Sequence, residues 1–251
     1  MRENREFYIN DQGTELHLKL EVPEALKEPH TLGIVVHGFT GDMEEPHIIT
    51  ATKALRDAGC ASLRAELYGH GKSGGAFFDH TIDRWLENLR AVIAYARTLK
   101  EYDRLILCGH SQGGLLVMLE AAEIPDQIDA LIPLSPAVMI PEESRNGILL
   151  GVQFSPDHLP EQILVEDGIP LGKAYLECAQ AIDPYAVIGA YHGPVLIVHG
   201  ADDLTVPLSV AERASKEYEN VTLTVIEGED HCFDFHPDQM AEAVRSFVEK
   251  L

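Results

Sequence analysis

The segment GHSQG at 109–113 carries the residues best suited to chemistry, a serine framed by two glycines. The apolar run 104–108 precedes it and a helical pattern follows it, so Ser111 is expected on a tight strand-to-helix turn. Glycine lacks the Cβ atom that would clash where strand and helix approach each other. The pattern therefore predicts that Ser111 is a nucleophile, and the alternative is a glycine-rich turn without chemistry.

A serine hydroxyl is a weak nucleophile, which needs a base that is itself oriented by an acid. Asp202 and Asp203 follow the predicted strand at 195–199, and His231 follows the predicted strand at 221–226. By position alone either aspartate could be the acid. His236 competes with His231 as the base but lies further from the strand end. All these groups follow strand ends, where open α/β sheets bind ligands.

An oxyanion formed by attack on a carbonyl needs two fixed hydrogen-bond donors. The backbone N–H of Gln112, directly after the serine, is one candidate. The second is the N–H of Phe39 in the segment HGFTG at 37–41, where Gly38 allows a close backbone approach. We expect these two groups to form an oxyanion hole.

Other ligands are disfavoured. His37, His192 and His199 lack a tight metal-ligand spacing, and the glycine-rich segment 68–75 lacks the spacing of a phosphate-binding loop, so neither a metal nor a cofactor is predicted. The chain has 19 basic and 41 acidic residues, a net charge of −22. Such a surface repels nucleic acid and anionic membranes.

The elements that must position these groups alternate along the chain. The segments 81–99 and 238–251 have the spacing of amphipathic helices. Strands alternating with helices predict an α/β fold with a mostly parallel sheet, and the first two strands are expected to form an edge hairpin. Eight short apolar runs are candidate strands: 6–10, 16–22, 32–37, 60–67, 104–108, 130–134, 195–199 and 221–226.

The stretch 137–182 breaks this rhythm with several prolines and glycines. We interpret it as an inserted lid over one end of the sheet, and residues 1–136 and 183–251 as the core; a second packing unit without a role in binding is the alternative. We count seven acids in the stretch against Arg145 and Lys173, which favours neutral, apolar substrates over acyl-CoA. The acids are Glu142, Glu143, Asp157, Glu161, Glu166, Asp167 and Glu177.

The chain length of 251 residues and a hydrophobic share of 45% suit a soluble globular protein. The start, MRENREFYIN, has no apolar run typical of a signal peptide. We therefore expect a cytoplasmic protein that has no membrane partner and could be a homodimer. Its cysteines are expected to be free thiols; they are Cys60, Cys108, Cys178 and Cys232.

Together these motifs resemble serine α/β-hydrolases from about residue 20 to the end, in a chain order of serine, acid and histidine that is typical of that fold. GHSQGG, FSPDHLP at 154–160 and GEDHCF are most similar to bacterial cinnamoyl (feruloyl) esterases. The resemblance implies an α/β-hydrolase fold with a mostly parallel eight-stranded sheet, helices on both faces and a small lid. The family pattern G-x-x-D-x-x-V-P falls on Asp203, which favours it as the acid.

In these relatives an acid and a glutamine of the lid bind the phenolic hydroxyl of hydroxycinnamates. The resemblance assigns Glu143 to the acid, whereas Leu150 falls on the glutamine position and Gln153 lies close by. The implied activity is ester hydrolysis through an acyl-enzyme by Ser111, His231 and Asp203, on hydroxycinnamate-type (feruloyl or cinnamoyl) or other aryl or short acyl esters. The alternatives are a general short-chain carboxylesterase or lipase, a peptidase or thioesterase, and a binding protein of the same fold without catalysis.

Overall fold

The computed structural model describes residues 1–165 and 168–251, and its centre is a mixed eight-stranded sheet. The strand order is β1-β2-β4-β3-β5-β6-β11-β12, in which β2 runs antiparallel to β1 and β4 and the other pairs are parallel. The strands are β1 Glu3–Asp11, β2 Thr14–Val22, β3 Thr31–Val36, β4 Ala61–Ala65, β5 Arg104–His110, β6 Ala130–Leu134, β11 Val195–Gly200 and β12 Val221–Ile226. The predicted α/β-hydrolase sheet and its antiparallel edge hairpin are confirmed.

Helices cover both faces of the sheet because the buried strands are apolar on both sides. In β3, for example, Ile34 belongs to the core under α2 and α3, whereas its neighbour Val35 belongs to the core under α1 and α7. The helices of the core are α1 Pro46–Asp57, α2 Ile82–Thr98, α3 Gln112–Glu123, α6 Leu208–Ser215 and α7 Pro237–Val248. The two helical patterns of the sequence correspond to α2 and α7.

The strand register aligns the carboxyl ends of the parallel strands at one edge. Val36 pairs with Gly109, His110 with Leu134, and Gly200 with Ile226. The chain segments that leave β3, β5, β11 and β12 therefore begin side by side. Every residue predicted for the chemistry itself lies in one of these segments.

The segment 137–182, predicted to be a lid, is built from short elements. It contains a hairpin of β7 and β8 and a second hairpin of β9 and β10. Glu166 and Asp167, two of the acids counted in the sequence, lie outside the described residues. The elements are α4 Ile140–Arg145, β7 Ile148–Leu149, β8 Val152–Gln153, β9 Gln162–Val165, β10 Ile169–Gly172 and α5 Lys173–Ala181.

Within the described residues, no helix combines the length and apolar character needed to cross a lipid bilayer. The four cysteines carry free thiols, and Cys60 and Cys108 are buried. Burial raises the pKa of Cys60 to about 11, so its thiol is uncharged at neutral pH.

Candidate active site

Ser111 lies at the sharp turn between β5 and α3, with φ 55° and ψ −118°. A positive φ is costly for a residue with a side chain, and here the flanking glycines make room for the turn. A Cβ atom at Gly109 would lie 2.2 Å from the carbonyl oxygen of Gly113. The small residues on both sides of Ser111 are therefore a steric requirement of this turn.

The structure brings Ser111, His231 and Asp203 into one hydrogen-bonded chain. His231 Nε2 lies 2.9 Å from Ser111 Oγ, and His231 Nδ1 lies 2.7 Å from Asp203 Oδ2. With Nδ1 protonated, the ring donates to the carboxylate and leaves Nε2 free to accept the serine proton. In the sequence, His231 lies 28 residues after Asp203 and 120 residues after Ser111.

Asp203 is fixed by its other oxygen. Oδ1 accepts hydrogen bonds from the backbone N–H groups of Thr205 at 2.9 Å and Val206 at 2.8 Å. The side chain of Asp203 is fully buried, whereas Asp202 is exposed. Of the two aspartates that the sequence left open, the structure brings Asp203 to the histidine.

The structure also separates the two candidate bases. His231 contacts Ser111, whereas the ring of His236 lies beside Gly228 in the loop that follows β12. The backbone N–H of His236 donates to Glu229, so its position serves the loop.

The segment after β3 approaches Ser111 closely at Gly38. A Cβ atom there would lie 2.9 Å from the Cβ atom of Ser111, so the position requires glycine. His37 holds this segment, since its Nδ1 donates to the Gly38 carbonyl at 2.8 Å and its Nε2 accepts from the Leu67 N–H at 3.1 Å. Burial lowers the pKa of His37 to about 3, so the ring stays neutral and keeps both bonds.

Gln112 is the first residue of α3, so its backbone N–H has no partner within the helix. Its side chain is buried, and its Oε1 accepts a 2.7 Å hydrogen bond from the hydroxyl group of Tyr175 in α5. Tyr175 also packs against Phe39, with ring centroids 6.0 Å apart. The two predicted oxyanion donors therefore flank Ser111 and are braced by the 137–182 segment.

Glu229 was not found by sequence reasoning, although it lies two residues before His231. It is fully buried, and its carboxylate accepts backbone hydrogen bonds from Asp230 at 2.9 Å and Phe235 at 3.0 Å, and another from His236. A single carboxylate thus fixes the backbone of this loop both before and after His231. In the sequence Glu229 is one of three acids in the run EGED, and nothing in that pattern marks it as buried.

His110 supports the same loop from β5. Its Nε2 donates to the carbonyl oxygen of His231 at 2.8 Å, and burial holds its pKa well below the usual range. A neutral His110 places no second positive charge next to His231, whose own ring would become charged if it acted as a general base.

Ser111 and His231 open into a cavity of about 410 Å³. One wall is apolar and comes from the 137–182 segment; its residues are Ala137, Met139, Ile140 and Leu150. The lining also includes three acidic residues: Glu45, Asp202 and Asp230. Among the described residues that line the cavity there is no lysine or arginine.

The three lid residues named from the sequence lie in different places. Leu150 lines the cavity. Glu143 is half-buried beside a neighbouring pocket that it shares with Met139, and burial raises its pKa. Gln153 is exposed on β8, outside the cavity lining. The described residues also contain no group of three or more histidine, cysteine or acidic side chains arranged to hold a metal ion.

Comparisons with known proteins agree with this geometry. A family model described as serine aminopeptidase, S33 (Hydrolase_4) matches residues 27–173. Est1E from Butyrivibrio proteoclasticus, solved with ferulic acid bound, is 45% identical with a TM-score of 0.95, over 97% of this chain and 98% of that one.

The chain belongs to this serine α/β-hydrolase family. A second structure of Est1E is 42% identical, with a TM-score of 0.91 over 98% of both chains. The monoacylglycerol lipase of Mycolicibacterium smegmatis is 23% identical over 84% of this chain and 85% of its own. The protein is accordingly a serine carboxylesterase of the α/β-hydrolase fold, related to feruloyl esterases.

Proposed function

We propose that the protein hydrolyses hydroxycinnamate-type or other small aryl or short acyl esters, with Ser111 as nucleophile, His231 as base and Asp203 as the residue that orients the base. The observation that carries the proposal is the pair of hydrogen bonds at 2.9 Å and 2.7 Å that join these side chains next to the cavity. Est1E, which binds ferulic acid, supports the substrate class.

The reaction has two halves. Ser111 Oγ attacks the ester carbonyl carbon while His231 takes its proton, and the tetrahedral intermediate then expels the alcohol, which leaves with that proton. Water attacks the acyl-enzyme with His231 again as base, and the carboxylic acid is released. Asp203 holds the imidazole in the tautomer with Nδ1 protonated and stabilises its charged form.

The N–H groups of Phe39 and Gln112 are proposed to hold the oxyanion. The closeness of Gly38 to Ser111 and the free N–H at the start of α3 support this role. Each such donor contributes about a hundredfold to a thousandfold in turnover.

The 137–182 segment is proposed to act as a lid that shapes the acyl side of the cavity, with residues 1–136 and 183–251 as the core. Its four cavity-lining residues are apolar, which suits an aryl or alkyl acyl group. Glu143 and Gln153 remain candidates for contact with a phenolic hydroxyl group, and Leu150 adds an apolar surface to the cavity itself.

A panel of esters tests the proposal: methyl ferulate, methyl caffeate and nitrophenyl esters of increasing acyl length. Wild-type protein is expected to cleave the aryl esters, and the Ser111→Ala variant is expected to be inactive on all of them. Faster hydrolysis of an acyl-CoA than of any aryl ester would overturn the substrate class. Undiminished activity of folded Ser111→Ala would overturn the mechanism.

A general short-chain carboxylesterase is the second candidate, because Leu150 makes the side of the cavity proposed for the acyl group apolar. A preference for nitrophenyl butyrate over both hydroxycinnamates in the same panel would favour it.

A small-molecule ester is the proposed substrate, and the charge of −22 supports the absence of nucleic-acid binding. The free cysteines support a cytoplasmic location.

A homodimer is proposed on the edge strand β12, which offers unpaired backbone groups to a second copy. Light scattering of the purified protein measures the oligomeric state, and a monomer mass would exclude the dimer.

A further inference from the structure

Glu45 is a titratable side chain in the cavity wall that the proposed mechanism does not use. It directly precedes α1, and its carboxyl group lies against Gly41. The Oε2 atom is buried and has no hydrogen-bond partner among the described residues; the nearest cation-forming atom, His47 Nε2, is 3.6 Å away. The side chain as a whole remains 31% exposed, so the carboxyl group can meet a molecule in the cavity.

Glu45 lies on the side of the cavity where the alcohol must leave. His231 has to protonate the leaving oxygen, so the alcohol half of the ester lies on the side of its ring. Glu45 is linked to this loop by a chain of contacts: His47 Nε2 lies 3.6 Å from Glu45 Oε2, the rings of His47 and His110 are 4.0 Å apart, and His110 donates to the carbonyl oxygen of His231. The apolar residues of the 137–182 segment line the same cavity.

We propose that Glu45 is a substrate-binding residue that sets the charge preference for the alcohol half of the ester. As a neutral acid it accepts uncharged alcohols, and as a carboxylate it attracts a cationic alcohol and repels an anionic one. This inference rests on the proposed ester hydrolysis. Two further acids, Asp202 and Asp230, line the same cavity, and the described lining residues include no lysine or arginine to offset them.

Glu45 changes charge near neutral pH. Burial and the charge of Asp42 raise its pKa to about 7, and His231 acts in the opposite direction. The groups around it are Asp42 in its own loop, His47 in α1, and His231 and Cys232 after β12; Asp230 lines the same cavity. Burial lowers the pKa of His47 to about 4, so His47 is neutral over the range in which Glu45 ionises. Burial and nearby acids, Glu45 among them, raise the pKa of Cys232 to about 12, so it is also uncharged there.

Two esters of one acid isolate the effect: the choline ester of cinnamic acid and the 3,3-dimethylbutyl ester, which is its uncharged isostere. Neither alcohol titrates, so the ratio of their kcat/KM values cancels the pH dependence of the catalytic steps that the two esters share. In the wild type this ratio is expected to rise about fivefold to tenfold between pH 5.5 and 8.5, as Glu45 becomes charged. In Glu45→Gln the ratio is expected to stay flat, at the acidic wild-type value.

Two further variants serve as controls. Glu44→Gln removes the same charge one residue away, outside the cavity lining, where Glu44 pairs with Lys19 and Arg64. It is expected to keep the wild-type rise. Asp42→Asn removes the charge that raises the pKa of Glu45, so the midpoint of the rise is expected at lower pH.

A wild-type ratio that does not change with pH, or an equal rise in Glu45→Gln, would overturn the role of Glu45 while leaving ester hydrolysis intact. Failure to cleave both esters at every pH, together with inactivity on the ester panel, would instead refute the proposed function.

Discussion

Replacing Glu229 by glutamine tests how the loop that carries His231 is held. The carboxylate is fully buried and accepts three backbone hydrogen bonds, two on Oε1 and one on Oε2. Glutamine can keep the two bonds to its remaining oxygen. Its NH₂ group, however, would face the N–H of His236, so two donors would meet in a site closed to water.

The cost follows from these contacts. Hydrogen bonds to a charged group contribute about 1.5–3 kcal/mol each, and a buried donor without an acceptor costs a similar amount. We therefore expect Glu229→Gln to lower the free energy of unfolding by about 2–3 kcal/mol. Since a displacement of about 1 Å in a catalytic group can cost a hundredfold in rate, kcat is expected to fall about tenfold to a hundredfold.

The assay combines urea unfolding with kcat and KM for an aryl ester. Glu227→Gln is the matched control, because Glu227 is exposed in the same loop and its replacement is expected to leave both quantities near wild type. The loss in Glu229→Gln should appear in kcat more than in KM, because the change displaces the base, whereas the apolar cavity residues of the 137–182 segment stay in place. An unfolding free energy and a kcat within error of wild type would refute the assigned role of Glu229.

Three further predictions follow from the site and the core. Asp203→Asn should reduce kcat about a thousandfold to ten-thousandfold without unfolding the protein, because an amide favours the wrong imidazole tautomer. Stopped-flow kinetics measures kcat and circular dichroism checks the fold; a loss of kcat below tenfold would contradict the prediction. Leu150→Gln should raise the ratio of kcat/KM for methyl ferulate to kcat/KM for methyl cinnamate about threefold to tenfold, because the amide adds a hydrogen-bond partner for the phenolic hydroxyl group of ferulate. An unchanged ratio would contradict this. Burial lowers the pKa of four histidines to about 3 or 4, so below pH 6.5 the unfolded chain binds more protons than the folded chain. The free energy of unfolding is therefore expected to fall as the pH falls, by about 2 kcal/mol per histidine at pH 5; equal urea midpoints at pH 7 and pH 5 would contradict this. The four are His37, His47, His70 and His80.

The strands and the positions of the proposed triad were accessible to sequence reasoning because each depends on a local pattern. Short runs rich in apolar residues, several of them unbroken, predicted the eight strands of the main sheet, and the serine, aspartate and histidine each follow the end of one of these strands. The parallel register then brings those ends together, as between Gly200 and Ile226. Local pattern and global topology agree at these positions.

The residues that sequence reasoning missed depend on contacts between distant segments. Glu229 looks like a surface acid until the loop folds its own N–H groups around the carboxylate. Glu45 lies far from His231 in the chain, and only the alignment of the segments after β3 and β12 makes it part of the cavity wall. The bracing of Gln112 by Tyr175 likewise joins α3 to α5 across 63 residues.

The most direct test of the proposed triad is to trap the acyl group. Rapid mixing with nitrophenyl acetate, acid quench and peptide mass spectrometry should show a stoichiometric burst of nitrophenol and an acetyl group on Ser111. The burst should disappear in Ser111→Ala. An acetyl group found on another residue during productive turnover, or a burst that survives in the folded alanine variant, would contradict the assignment of Ser111 as the nucleophile.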